Sequence, residues 1–259
     1  MLAAELISIH EAPREVPPFS RSHPGLTAEA GYAAAQALHE HRVAAGWRRV
    51  GRKIGFTNRT IWPRYGVYEP IWGSVYDRTL IHASGDHARV SLDGLVNARI
   101  EPEICFGLRQ SPHGENENLI PCIEWMAHSV EIVQCHHPDW KLALPDSTAN
   151  NGLHGRLVLG ARVPLPADAE AKLPAVQVEL YRGETLVDRG VGANVLDSPL
   201  RALAHLVALL ARQSGTPPLE AGELVTTGVI TDAHAVKPGE TWSTRIAGLP
   251  LAGLTIEFA

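Results

Sequence analysis

The chain has 259 residues, 45% of them hydrophobic, which is enough to bury a sizeable core in one large domain or two small ones. Its 23 Lys and Arg against 28 Asp and Glu leave a net charge of −5, without the basic excess that a phosphate backbone requires, which argues against nucleic acid as a partner. Cys105, Cys122 and Cys135 have neither CxxC spacing nor the density of a disulfide scaffold, and read as reduced, buried thiols. No stretch reaches the roughly 18 apolar residues of a membrane span, and MLAAELISIHEAPREVPPF lacks a basic region followed by a long apolar run. A soluble, cytoplasmic protein with no membrane partner is expected.

In chain order, residues 11–25 carry Pro13, Pro17, Pro18, Pro24 and Gly25, a composition that predicts an extended arm. From Thr27 to Ala45 an Ala-rich segment begins with an N-cap and stops at Gly46, predicting a helix. The basic run Arg48, Arg49, Arg52 and Lys53 reads as a solvated face, with Lys53 set apart. That lysine lies among Val50, Ile54, Gly55 and Phe56, apolar neighbours that would desolvate its ammonium, lower its pKa and let it exchange protons near neutrality. The alternative is a lysine snorkelling from a strand end.

Short β-type segments dominate the rest: RIEPEICFGL, SVEIVQC, GRLVLGARV, VQVELYRGETLV with a tight hairpin connection at YRGET, GELVTTGVIT and LAGLTIEFA. A second helix interrupts them, capped by Asp197 or Ser198, with Pro199 in its first turn, Leu203, Leu206, Val207 and Leu210 at helical spacing, and Gly215 at its close. The pattern predicts a β-rich α+β fold. Residues 1–70 read as an N-terminal arm and helical region leading into the core, and residues 71–259 as a β-rich catalytic domain, the two together forming one structural unit. Gly190-Val-Gly192 lacks the third glycine of a dinucleotide motif.

Strand alternation in RIEPEICFGL puts Glu101 and Glu103 on one face, with Ile100, Ile104 and Phe106 on the other. Adjacent carboxylates need solvent, a shared proton or a cation. Glu131, alone in the otherwise apolar SVEIVQC, needs a partner too: either a salt bridge to Lys141 or an arginine, or a share in the same cation. An oxygen-only ligand set suits Mg²⁺ or Mn²⁺.

Taken in order, GRKIGFTN, YEPIWGSVYD, IEPEICF, SVEIVQCHHPDWK, GANVLDSPLRALAHL and LEAGELVTTGVIT resemble the 2-hydroxypenta-2,4-dienoate hydratase and 4-oxalocrotonate decarboxylase group of the fumarylacetoacetate hydrolase superfamily. The resemblance runs through most of the chain. It implies a mixed β-roll with flanking helices, and a homo-oligomer that can associate with a pathway enzyme. It implies Mg²⁺ or Mn²⁺ on Glu101, Glu103 and Glu131, and a small 2-oxo or 2-hydroxy-dienoic acid as substrate. Lys53 would transfer protons, Asp77 and His154 would act at the same site, and Gly55, Phe56, Lys141 and Thr227 would contact the substrate.

The sequence departs from the group where its Ala-Asp-Asn-Ala-Ser-Ser-Gly becomes Ala149-Asn150-Asn151-Gly152-Leu153-His154-Gly155, and where His136 replaces an arginine. His154 thereby enters as a different acid or base, while His136 and His137 read as hydrogen-bonded loop histidines. The reaction expected is hydration of a 2-hydroxy-2,4-dienoate to a 4-hydroxy-2-oxo acid, with His154 or Asp77 orienting the water. The alternatives are decarboxylation of a 2-oxo-enedioate, C–C hydrolysis of an acylpyruvate, or an inactive metal-binding paralogue.

Overall fold

The structure is a computed structural model that describes residues 2–59, 62–65, 68–114 and 118–259. Helices α1 (Leu2–Glu11), α2 (Phe19–Ser22) and α3 (Ala28–Ala44) precede β1 (Arg49–Gly55), α4 (Trp62–Tyr65), β2 (Ile71–Tyr76), β3 (Leu80–His82) and β4 (His87–Val90). Two long strands follow, β5 (Arg99–Leu108) and β6 (Ile123–Val133), then α5 (Leu144–Ala149), β7 (His154–Leu159) and α6 (Ala169–Ala175). The chain ends with β8 (Gln177–Arg182), β9 (Thr185–Val191), α7 (Pro199–Arg212), β10 (Leu224–Thr226), β11 (His234–Ala235), β12 (Thr241–Ala247) and β13 (Thr255–Phe258).

Two mixed sheets carry these strands. The larger runs β2-β1-β10-β5-β6-β7-β3, with β11 also paired to β5, and the smaller runs β4-β13-β12-β8-β9. Flanking helices complete the α+β arrangement read from the sequence. Strand β1, from the segment read as N-terminal region, is interior to the large sheet, parallel to β10 on one side and antiparallel to β2 on the other.

The cap residues fix the two helices that the sequence outlines. Thr27 Oγ1 accepts from the Ala30 amide at the start of α3, and Ser198 Oγ accepts from the Leu200 amide ahead of Pro199 in α7. Leu203, Leu206 and Leu210 of α7 then pack with Ile104 and Phe106 of β5 and Ile54 of β1. Farther along the same face, Ile100 joins Val130, Ile132 and Val158 against Leu180, Trp242, Ile256 and Phe258 of the small sheet. The apolar face of β5 is therefore covered along its length, and its other face bears the glutamates.

The N-terminal arm is more helical than its prolines suggest. Leu6 and Ile9 bury one side of α1 against Phe19, Ala34 and Leu38, a helical spacing that the sequence reading passed over, and α2 forms directly after Pro18. GELVTTGVIT contributes only three strand residues before it turns along the site. The basic run divides in a way that composition does not show. Arg48 is 78% exposed and pairs with Asp77, whereas Arg52 is fully buried and donates to the Pro217 and Pro218 carbonyls at 2.8 and 3.0 Å, beside Glu223 and over the Trp72 ring. Arg52 is a core cation, not part of a solvated face, because it lies in the part of β1 that is buried on both faces.

Removing the Arg52 side chain leaves two carbonyls without their donor and Glu223 with Arg49 alone. Arg52→Ala should therefore lower the unfolding free energy by about 3–5 kcal/mol in urea titration, whereas Arg48→Ala should leave the midpoint unchanged.

Candidate metal centre

Register brings the acids together. Strands β5 and β6 pair Glu101 directly with Glu131 and Glu103 with Ser129, so the three carboxylates share one face and offer oxygens within 4.8 Å of one another. Oxygens sharing one Mg²⁺, each about 2.1 Å from the ion, lie at most about 4.2 Å apart, so a small contraction brings these within range of one ion. Glu103 and Glu131 are completely buried.

Four neighbours hold the cluster in place. Lys53, carried by β1, places Nζ 3.2 Å from Glu131 Oε2. On the other oxygen, His154 Nδ1 donates to Glu131 Oε1 at 2.8 Å, while His154 Nε2 lies 2.8 Å from Thr79 Oγ1. Thr226 donates its hydroxyl to Glu103 Oε2, and the Gly228 amide donates to the same oxygen at 2.8 Å. Gly228 has φ +104°, and a Cβ there would fall 2.0 Å from Thr57 Oγ1, so only glycine lets this amide reach the carboxylate. Glu103 Oε1 remains buried with no hydrogen-bond partner among the described residues. An orphaned buried carboxylate oxygen facing two other carboxylates fits a hard divalent cation.

The electrostatics point the same way. Burial raises Glu101 to about 7 and pushes Glu103 well above the carboxylate range, and the like charges around them add to both shifts. Burial also opposes ionisation of Glu131, but Lys53 and the His154 hydrogen bond outweigh it and hold that carboxyl low. Lys53 departs from expectation. Burial does work against its ammonium, but Glu131, Glu101 and Glu103 together keep its pKa above the ordinary lysine value. The sequence shows the apolar neighbours of Lys53 but not the three acids that face it.

A cavity of about 200 Å³ opens beside the cluster, lined by Lys53, Gly55, Phe56, Glu101, Arg99 and Trp140 among others. Gly55 and Phe56, expected from the resemblance to contact substrate, both line this cavity. Three other residues do not reach it. Asp77 lies past the Tyr76 end of β2, opposite Arg49, and accepts from the Arg48 amide and Nε at 3.0 and 3.2 Å; Gly73 and Ile71, farther along β2, pair with Lys53 and Gly55. Lys141 is 81% exposed and pairs with Asp139. Thr227 donates its hydroxyl to the Ile104 carbonyl at 2.8 Å, and its neighbours Thr226 and Gly228 touch Glu103 instead. His154 stands behind Glu131 rather than over the cavity, and burial keeps its imidazole neutral. His136 and His137 are the hydrogen-bonded histidines anticipated, bound to Asn150 and the Val16 carbonyl.

Thr226, Gly228, Arg99 and Trp140 escaped the sequence reading. Arg99 was within reach of it, since alternation already puts it on the same face as Glu101 and Glu103. The others depend on long-range pairing or loop conformation.

No family model matches the chain. It is 32% identical over 251 residues to a 2-keto-4-pentenoate hydratase of Burkholderia vietnamiensis, covering 96% of this chain and 93% of that protein. It is 34% identical over 204 residues to a 4-oxalocrotonate decarboxylase of a Pseudomonas species, covering 78% and 76%. Among solved structures, 4-oxalocrotonate decarboxylase from Pseudomonas putida G7, complexed with magnesium and adipate, superposes with a TM-score of 0.90 at 25% identity over 100% of this chain and 96% of that one. Fumarylpyruvate hydrolase from Pseudomonas aeruginosa, in complex with Mn²⁺ and pyruvate, shares the fold at a TM-score of 0.60 and 15% identity, covering 82% and 89%. The protein therefore belongs to the 2-keto-4-pentenoate hydratase and 4-oxalocrotonate decarboxylase family.

Proposed function

We propose that the protein is a Mg²⁺- or Mn²⁺-dependent lyase that hydrates a short 2-hydroxy-2,4-dienoate to a 4-hydroxy-2-oxo acid. One observation carries this reading: three carboxylates, two of them buried, converge beside a lysine and a small cavity, and Glu103 Oε1 has no hydrogen-bond partner among the described residues. Glu101, Glu103 and Glu131 hold the ion, which supplies a Lewis acid for negative charge on the substrate's carboxylate and C2 oxygen. Relatives named as hydratases, at 29–33% identity, favour hydration over the other reactions of the family.

Lys53 is the proton carrier. Its ammonium is held charged by the acids around it and stands on the cavity lining, 3.2 Å from Glu131 Oε2, where it can deliver a proton to substrate. Ketonisation removes the enol proton and places one on C5; water then adds across C3 and C4, its hydroxyl to C4 and its proton to C3. The sum is substrate plus one water. Neither Asp77 nor His154 lines the cavity, so orientation of that water falls to lining residues such as Asn58 and Asp232. His154 acts by positioning Glu131.

A second reading, decarboxylation, rests on the 0.90 TM-score with a decarboxylase. Loss of CO₂ also leaves negative charge to be stabilised at C2 and needs the same lysine, but no water. A cytoplasmic homo-oligomer, with a pathway enzyme as a further partner, belongs to the same proposal. The described residues include no helix long and apolar enough to cross a membrane.

Glu103→Gln should abolish both the rise in melting temperature on adding Mn²⁺ and chelator-sensitive turnover, lowering kcat by roughly 100-fold or more, with the fold kept by far-ultraviolet circular dichroism. Full activity in that variant rules out the metal assignment. Lys53→Met should keep the Mn²⁺ response and lose roughly 100- to 10,000-fold in kcat. Product masses decide the reaction: a gain of one water from a 2-hydroxy-dienoate supports hydration, and a loss of CO₂ transfers the protein to the second reading. Light scattering on the eluted protein should give a multiple of 28.0 kDa, and a monomer mass refutes the oligomer.

A further inference from the structure

We infer that Arg42, His10, Asn150 and His136 form a one-way hydrogen-bond chain that clasps the N-terminal arm, residues 2–26, to the wall of the cavity, and that protonation of either histidine opens it. The arm is thus a pH-sensitive device built into the fold, whichever reaction the site performs.

The direction of the chain follows from its donors. A guanidinium only donates, so His10 Nδ1, 3.1 Å from Arg42 Nη2, accepts and carries no proton. His10 then bears its proton on Nε2 and donates it to Asn150 Oδ1 at 2.9 Å, which turns the Asn150 amide nitrogen toward His136 Nδ1, also at 2.9 Å. That nitrogen only donates, so His136 Nδ1 accepts. One proton fills each link, and both imidazoles must be neutral for this to hold. A proton added to either Nδ1 sets donor against donor, and at His10 it also sets a cation against the Arg42 guanidinium.

The surroundings do not compensate such a charge. Among the described residues no carboxylate is bonded to either histidine. The groups that act on them are Arg42 from α3, Arg14 from the segment after α1, and His137, while Arg156 of β7 adds to the positive surroundings of Arg42. The acids of the packed elements have partners of their own: Glu5 has His23, Glu11 has His41, Glu15 has the Asn97 side chain, and Asp146 has Ser20 and the Ala143 amide. Asp146 and Glu5 bear on His137 instead. Asn150 and His136 also stand where the family's pattern has an aspartate and an arginine, so two opposite charges have become two neutral groups together.

The clasp reaches the cavity through both of its histidine-bearing ends. The Asn150 carbonyl accepts from the Leu153 amide at 2.8 Å, and Leu153, at φ 67°, lines the cavity. The His136 carbonyl accepts from the Val16 amide of the arm at 2.8 Å, four residues before the cavity-lining Trp140. Packing of Leu6 and Ile9 against Phe19, Ala34 and Leu38 sets how firmly the arm sits, and the clasp makes that firmness depend on pH. Burial holds His136 down to about 4 and His10 well below its ordinary 6.5. The docked arm therefore binds fewer protons than the released one, so docking is full above about pH 6.5 and weakens as the pH falls from there toward 4.

Hydrogen exchange read by mass spectrometry on the full-length protein between about pH 7 and 5, corrected for the intrinsic rate at each pH, tests this. Relative to a peptide from α7, protection of peptides covering residues 2–16 and 150–156 should fall at least about a hundredfold over that range, as two histidines take up protons. His136→Asn, which keeps an acceptor for Asn150 and cannot titrate, should limit the fall to about thirtyfold or less. His136→Arg combined with Asn150→Asp, which installs opposite charges, should remove it. Protection that stays constant relative to α7 in the native protein, or that falls as steeply in His136→Asn as in the native protein, overturns the clasp. An undiminished fall in the double variant does so too, and if that variant does not fold, the native and His136→Asn slopes decide.

Discussion

The structure is organised by one electrostatic constraint: three carboxylates, two of them sealed from solvent, must occupy one face of a β-hairpin with a single lysine to balance them. Taking such charges out of water is expensive, and each unneutralised acid makes the next harder to ionise. The fold answers with strand register. Lys53 comes from β1, Thr226 from β10, the Gly228 amide from the turn after it, and His154 from the start of β7, each meeting one carboxylate oxygen. What these partners leave uncovered is Glu103 Oε1, which has no hydrogen-bond partner among the described residues. In the proposed function stability and chemistry are thus one problem, because the ion that would activate substrate would also balance the charge of the cluster.

The backbone around the cavity shows a related cost. Phe56, Trp140 and Leu153 all line it, and all adopt positive φ without being glycine. Asn151 does so as well, held by paired hydrogen bonds of its side chain to the Ser74 amide and carbonyl. Gly73 leaves room for this loop, since a Cβ there would lie 2.0 Å from the Asn151 carbonyl oxygen. The departures from the family pattern at Asn150 and His154 fall in this stretch, and their side chains are spent on shape: Asn150 on His136, His154 on Glu131. They tune how the walls are held rather than adding a new acid or base to the lining.

The acids were legible in the sequence because two of them follow from alternation within one strand, and because a charge inside SVEIVQC has few ways to exist. The helices with cap residues were legible for equally local reasons. What stayed hidden is what depends on pairing across long separations. The direction of the Lys53 shift requires knowing that Glu131 lies opposite it, 78 positions later in the chain. Asp77 and Thr227 were assigned by motif position, and a motif does not show which way a side chain turns once its strand has ended: one serves Arg48, the other the Ile104 carbonyl. Arg52 and Arg48 belong to one basic run, yet one is core and the other surface, because Arg52 lies inside β1 beneath the loop at Pro217 and Arg48 precedes the strand.

Strand β10 contains three residues, and it is the only thing between β1 and β5 in the sheet order. On a ribosome, Lys53 and all three glutamates emerge well before it. Until residues 224–226 are made, the β5–β6 hairpin can close with its acids facing one another while the strand that carries their lysine has no parallel neighbour to bring it alongside. Three residues late in the chain thus decide where in the sheet the lysine meets acids made long before them.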